Sequence, residues 1–250
     1  MEKEDLKEFV VYGRQPVIEA LRSEYHVHKI LLARETDKKT IQPLLNQIEK
    51  KDVPVQYLKK AELQRHCGPV HHQGVVACIE AFKYRSETEI LKKIGLTGPS
   101  FILILDQIQD PQNLGAIFRS AEIAGVDAVI IPDKGSAAIN ATVAKTSAGA
   151  IFHCPVCRPG DLAVTLQQLK QAGLRLYALV AHQKKTIFES DLTHPLALVI
   201  GSEGRGVRKN IERLCDDTLS IPGIGKIDSL NASVSTAIVL FEVLRQRRYT

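Results

Sequence analysis

Three polar clusters in the second half of the chain each follow an apolar run. The first is Asp106, Asp110, Asn113 and Arg119, after "FILIL". The second is "GSEGRG", with Gly201, Glu203, Gly204 and Gly206, after "LALVI". The third, "PGIGKIDSLNAS", holds Pro222, Gly223, Gly225, Ser229, Asn231 and Ser233 and runs into the last helix. Carboxylates, amides and a guanidinium in this pattern can orient a polar substrate and stabilise a charge that develops on it. The glycines permit tight turns and let a ligand approach the backbone. Asp106 and Asp110 are expected to cap the turn and the helix that follow, since aspartate at such positions bonds backbone N–H groups.

Other chemistries fit the same letters poorly. The glycines of "GSEGRG" do not form G-x-G-x-x-G, and "GIGKI" lacks the upstream glycine and the Ser/Thr of a phosphate-binding loop. "HCPVC" (His153, Cys154, Cys157) holds one C-x-x-C with no second pair to complete a zinc site. Pro155 breaks the strand there, which also disfavours a redox motif opening a helix. His66, Cys67, His71 and His72 crowd together but are read as facing solvent or a ligand. No metal is expected.

Hydrophobic periodicity places the elements that must position these clusters. Residues 1–82 read as a small α/β unit. "GRQPVIEAL" and "IQPLLNQIEKK" are helical; "VHKILLAR", "VPVQYL" and "GVVACIEAF" are strand-like. Residues 83–99 are charged, run into Gly98-Pro99-Ser100 and read as a partly helical linker. Residues 100–250 alternate strands with helices. Strands are expected at 101–105, 128–131, 152–156, 174–180, 196–200 and 218–221, with helices at 114–124, 141–148, 161–172, 208–213 and 230–248. Such alternation implies a mostly parallel sheet covered on both faces. Ligands of open α/β sheets sit beyond the carboxyl ends of the strands, where all three clusters fall.

The last helix carries two apolar stripes: Val234, Ile238, Phe241 and Leu244, and Val239, Leu240 and Val243. A helix this apolar is buried on two sides. One side is its own sheet; the other is either a second subunit or further intramolecular core, and a homodimer is expected.

The 250 residues include 44% apolar and 24% charged side chains, the balance of an ordinary globular protein. No apolar run approaches the ~20 residues of a membrane span. The acidic start lacks the layout of a signal peptide, so a cytoplasmic protein is expected. Five cysteines, an odd count, do not resemble a secreted disulfide framework. A net charge of +5 is compatible with a nucleic-acid partner and with none.

Taken together, the clusters resemble a known family. "DxxxDPxNxGxxxRxAxxxG" is present as Asp106, Asp110, Pro111, Asn113, Gly115, Arg119, Ala121 and Gly125. "GxExxG" is present as Gly201, Glu203 and Gly206, and "IPxxGxxxSLNxSxxxAI" runs from Ile221 to Ile238. Over Phe101–Thr250 their order and spacing resemble the SpoU (TrmH-like) branch of the SPOUT RNA 2′-O-ribose methyltransferases. "VVYGRQPVIEAL" and "HHQGVVA" are similar to the small ribosomal-protein-like RNA-binding domain of the large-subunit rRNA guanosine 2′-O-methyltransferases.

The resemblance implies an α/β fold with a C-terminal parallel-sheet SPOUT domain tied in a trefoil knot, preceded by the small α/β domain. It implies S-adenosylmethionine as cofactor, held at Gly201, Ile221 and Leu230. Asn113, Arg119, Glu203 and Asn231 match catalytic positions, Arg119 that of an arginine thought to help deprotonate the 2′-hydroxyl and the asparagines orienting Arg119 or the ribose. A guanidinium holds its proton so tightly that Arg119 is expected to act mainly while charged. Glu203 either holds Asn113 or satisfies its own loop. Arg14 and His72 fall in the front stretches and are the expected RNA contacts. The expected substrate is a guanosine of large-subunit rRNA. A tRNA 2′-O-methyltransferase of the same branch, or a silent RNA-binding or ribosome-assembly protein, is the alternative. Removal of residues 1–82 is expected to spare cofactor binding and abolish specific RNA methylation.

Overall fold

The computed structural model describes residues 8–96 and 98–249, so nearly all of the acidic start lies outside the described residues. The chain divides into two units. Unit 1 joins residues up to Lys83 with Ile139–His153; unit 2 joins Tyr84–Ala138 with residues from Cys154 onward.

Unit 1 begins with β1 (Phe9–Tyr12), α1 (Arg14–Arg22), β2 (Val27–Ala33), α2 (Gln42–Lys51), β3 (Val55–Leu58), α3 (Lys60–Cys67) and β4 (Val75–Ile79). The sheet order is β1-β4-β2-β3. β4 pairs antiparallel with β1 and β2, while β2 and β3 are parallel. Every side chain of β4 is buried, as its central place demands. α1 buries Val17, Ile18 and Leu21 on one face, the stripe its periodicity predicts. α3 is absent from the sequence expectation because Leu63 is its single buried residue, too little for a periodic signal.

Unit 2 contains α4 (Glu87–Lys93), β5 (Phe101–Asp106), α5 (Pro111–Ile123) and β6 (Ala128–Ile130). Next in the chain comes α6 (Ala141–Thr146), which packs on β1 and belongs to unit 1. Unit 2 resumes with β7 (Val156–Cys157), α7 (Leu162–Gln171), β8 (Arg175–Leu179), β9 (Leu196–Gly201), α8 (Lys209–Glu212), β10 (Asp217–Leu219) and α9 (Ala232–Tyr249). The sheet order is β10-β8-β9-β5-β6-β7, and every pairing is parallel. The fold is α/β with a parallel sheet, as expected.

β5 and β9 are central, and every residue of both is buried. Side chains alternate across a strand. Ile102, Ile104, Ala197 and Val199 share one core with Leu162, Leu166 and Leu169 of α7 and Ile211 of α8. The alternate residues, Leu103, Leu105, Leu198 and Ile200, face the other side, where α5 and α9 pack together. Both sheet faces are therefore dry, which fixes the strands and directs all polar chemistry to their ends.

Three details add to or correct the sequence expectations. Residues 83–99 contain the helical part expected of them: Ser86 and Glu89 form a capping box that starts α4, and Ile90 enters the core of unit 2. Residues 152–156 do not form a strand. Ala150–Phe152 is a 3₁₀ turn and Pro155 has no N–H to donate, so pairing begins only at Val156. Within residues 100–250, Ile139–His153 packs with unit 1.

Candidate active site

β5 and β9 run in register, with Asp106 opposite Gly201 at their carboxyl ends. The loops beyond these strands carry the first two clusters. α5 starts at Pro111 behind the cap Asp110, whose carboxylate accepts N–H bonds from Gln112 at 3.0 Å and Asn113 at 3.4 Å. Proline suits this first helical position because its missing N–H has no partner there anyway. The cap thus sets Asn113 at the mouth of the sheet.

After β9 the chain turns back sharply. Ser202 bridges Gly206, and a Cβ on Gly201 would overlap the backbone of Gly206 and Val207. Only glycine fits, and Glu203 stands on the tip of the resulting loop. The third cluster travels furthest. β8 and β9 lie between β10 and β5, so the segment after β10 crosses about 14 Å of sheet edge to reach α5.

There the clusters meet. Asn113 Nδ2 donates to Glu203 Oε1 at 3.1 Å. Asn231 Nδ2 donates to Asn113 Oδ1 at 3.0 Å and also bonds Glu203 Oε1. The Ala232 N–H reaches the same oxygen at 3.3 Å. Asn231 Oδ1 accepts from Ser233 N–H at 2.9 Å, Ser233 Oγ at 2.6 Å and Val234 N–H at 3.3 Å, capping α9. Residues 90 and 118 positions apart therefore form one closed polar triangle. The open choice over Glu203 resolves here: it holds Asn113, and Asn231 as well.

Arg119 is not part of the triangle. It lies six residues beyond Asn113 on α5, ~240° around the helix and about 9 Å along it. Its side chain is exposed and makes no hydrogen bond or ion pair among the described residues. Neither asparagine orients it. Asp106 also departs from expectation. It caps no turn of its own but, at 0% exposure, receives Arg208: backbone N–H at 2.9 Å, Nε at 2.8 Å and a terminal nitrogen at 2.7 Å. A carboxylate this deep needs such a partner. Arg208 went unread because nothing in its local sequence reports a carboxylate 102 residues away.

In unit 1, Arg14 opens α1 and is partly exposed. His72 is a correction: it is 2% exposed and cannot meet RNA in this structure. Its Nδ1 accepts the Gly74 N–H at 3.1 Å, and burial, with Lys60 and His71 nearby, holds its pKa below the usual imidazole value. It sits in the turn before β4, with its Nε2 buried and without a hydrogen-bond partner among the described residues.

A cavity of about 140 Å³ lined by Pro132, Asp161, Leu162, Arg208 and Ile211 lies on the α7–α8 face. The polar triangle lies on the α5–α9 side. Among the described residues no group of three or more His, Cys, Asp or Glu is placed to hold a metal ion, and no helix is long and apolar enough to cross a membrane.

The loop between β10 and α9 suits an adenosyl-amino-acid ligand. Residues 222–230 are exposed throughout and make no backbone–backbone hydrogen bonds among the described residues. Ile224, Ile227 and Leu230 stand open to solvent on it. Unspent N–H and C=O groups beside aliphatic side chains match the polar edge and apolar faces of adenine.

A parallel sheet that gathers distant polar loops at its carboxyl edge has counterparts among known proteins. Residues 100–241 match the SpoU rRNA methylase family, and residues 10–85 match the RNA 2′-O ribose methyltransferase substrate-binding family. YacO of Bacillus subtilis, named for the TrmH family of tRNA/rRNA methyltransferases, is 37% identical over 238 residues, 95% of each chain. A Staphylococcus saprophyticus protein named for the same family is 38% identical over 245 residues, 98% of each chain. The solved SpoU methyltransferase AviRb of Streptomyces viridochromogenes, in complex with AdoMet, superposes with a TM-score of 0.80 at 26% identity, covering 97% of this chain and 91% of that one. The chain belongs to the SpoU methylase family: it is an RNA 2′-O-ribose methyltransferase that uses S-adenosylmethionine.

Proposed function

We propose that the chain methylates the ribose 2′-oxygen of a guanosine in large-subunit rRNA, acting in the cytoplasm as a homodimer. The convergence of Asn113 and Asn231 on one oxygen of Glu203 carries the transferase part of this reading, and the resemblance of the front unit supports the rRNA target. S-adenosylmethionine supplies an electrophilic methyl group. The Gly201 turn, Ile221 and Leu230 hold it, largely through the free backbone of the β10–α9 segment. Glu203 keeps the two asparagines in fixed orientation: Asn231 is spent on Glu203, Asn113 and the start of α9, and Asn113 keeps a second Nδ2 hydrogen to present to the ribose. The segment crossing from β10 to α9 is also the one that would pass through the trefoil knot.

Arg119 acts while charged. A guanidinium holds its proton too tightly to be a base at neutral pH, but it stabilises the alkoxide that forms as the 2′-hydroxyl gives its proton to solvent. Lysine keeps the charge and loses the planar fork. Arg119→Lys should therefore retain at least about tenfold more turnover than Arg119→Ala, a difference of ~1.4 kcal/mol in the barrier. The assay incubates methyl-labelled cofactor with large-subunit rRNA and, separately, with tRNA, and maps the labelled ribose. Equal loss in both variants would remove the charge role. Label in tRNA alone would move the substrate to the other member of the branch.

The dimer rests on α9. Val239, Leu240 and Val243 are buried against unit 2, whereas Val234 and Phe241 of the opposite stripe remain 46% and 45% exposed. A second copy would cover that stripe. Sedimentation as a monomer at micromolar concentration would refute it.

A further inference from the structure

Most cations of unit 1 that meet a side chain meet an acid: Arg22 pairs with Glu19, and Lys83 with Glu80. Arg14 and Lys145 do not. They come from segments far apart in the chain and meet on one residue. Gln73 Oε1 accepts the Arg14 backbone N–H at 3.2 Å and Lys145 Nζ at 2.8 Å. The local backbone is shaped for this meeting. Gln73 adopts the left-handed region at φ 55°. Gly13 has φ 96°, and a Cβ there would lie 2.5 Å from Lys145 Nζ, so glycine leaves the ammonium its place.

Neither cation has a carboxylate partner among the described residues. Arg14 Nε is buried and makes no hydrogen bond. Lys145 loses hydration and feels the Arg14 charge, and both lower its pKa from the ordinary lysine value. Asp37 feels the Arg14 charge, but its oxygens are bonded to Thr40 and Lys39. Two like charges that feel each other, partly dehydrated and with no carboxylate bonded to either among the described residues, repel. An anion bound between them offsets that repulsion. A guanidinium fork beside an ammonium suits phosphate oxygens, and α1 begins here with no side-chain cap, adding its positive end.

We propose that Arg14 and Lys145, bridged by Gln73, bind a phosphodiester of the RNA substrate. The proposal deepens the assignment of RNA binding to unit 1 and rests on it. It also gives Lys145 a substrate-binding part, although its position in the sequence lies among the residues of the catalytic half.

The test uses the full-length protein and transcribed large-subunit rRNA in filter binding over a range of salt. Each phosphate contact contributes roughly 0.7–0.9 to the slope of log affinity against log salt. Arg14→Gln and Lys145→Gln should each weaken RNA binding about tenfold and lower the slope by about one contact. Cofactor affinity by calorimetry should not change, and Lys145→Arg should bind RNA nearly as the wild type does. Wild-type affinity and slope in both glutamine variants would overturn the proposal. Tight saturation by inorganic phosphate that leaves RNA affinity unchanged would overturn it too, by assigning the site to a free anion. Wild-type protein that fails to bind the rRNA would bring down the RNA assignment of unit 1 itself, and the proposal with it.

Discussion

Asp106 and Glu203 are carboxylates at the same end of adjacent strands, and the protein uses them differently. Asp106 is sealed under the loop after β9, and a guanidinium with its own backbone N–H answers its charge. Glu203 stands on an exposed loop tip and is held by two neutral amides and a backbone N–H. A buried charge that meets an opposite charge fixes the loop and has nothing left to offer a ligand. A surface charge held by amides keeps its negative potential facing outward. Depth and partner, rather than residue type, separate the fixture from the working group.

Substitutions can break this contrast. Arg208→Ala leaves a fully buried carboxylate with a backbone N–H but no counter-charge and should cost about 3–5 kcal/mol in urea unfolding. Gly201→Ala forces a Cβ into the returning loop and should cost about 1–3 kcal/mol, with cofactor affinity falling in parallel by calorimetry. Glu203→Gln should change stability by less than about 0.5 kcal/mol, as expected for an exposed site. Its effect belongs to catalysis: loss of charge-assisted bonds to the asparagines should lower kcat/KM for RNA roughly 10–100-fold. A stability loss at Glu203 as large as that at Arg208 would erase the distinction.

The smallest effect expected is at the thiols. Burial pushes Cys154 and Cys215 up to about 12 and Cys157 up to about 11, and raises Cys67 and Cys78 as well. The thiolate is the reactive form. Folded protein at pH 8 should therefore resist iodoacetamide at these positions, while protein in urea labels rapidly. Fast labelling of Cys154 or Cys157 in the folded state would reopen a redox role for the C-x-x-C.

Much of unit 2 was legible because its central strands are buried on both faces. "FILIL" and "LALVI" have no polar face, and such runs between helices predict a parallel sheet. The convergence of three clusters was legible for the same reason, since parallel strands place all the loops that follow them on one edge. What stayed hidden depended on contacts distant in the chain. His71 and His72 are neighbours of one type, yet one is exposed and the other buried, and only the turn before β4 decides which. Arg119 matched its motif, but helix geometry turns it away from Asn113. Lys145 looked like an ordinary residue of a helix in the second half, and only the packing of α6 on β1 brings it to Gln73.

That insertion governs how the protein can be taken apart. The backbone passes between the two units three times, after Lys83, after Ala138 and after His153. A shuttle threaded this way has no single seam. Cutting residues 1–82 away would strand α6 without β1, and a nick after Lys83 should leave the fragments associated on a gel run without denaturant.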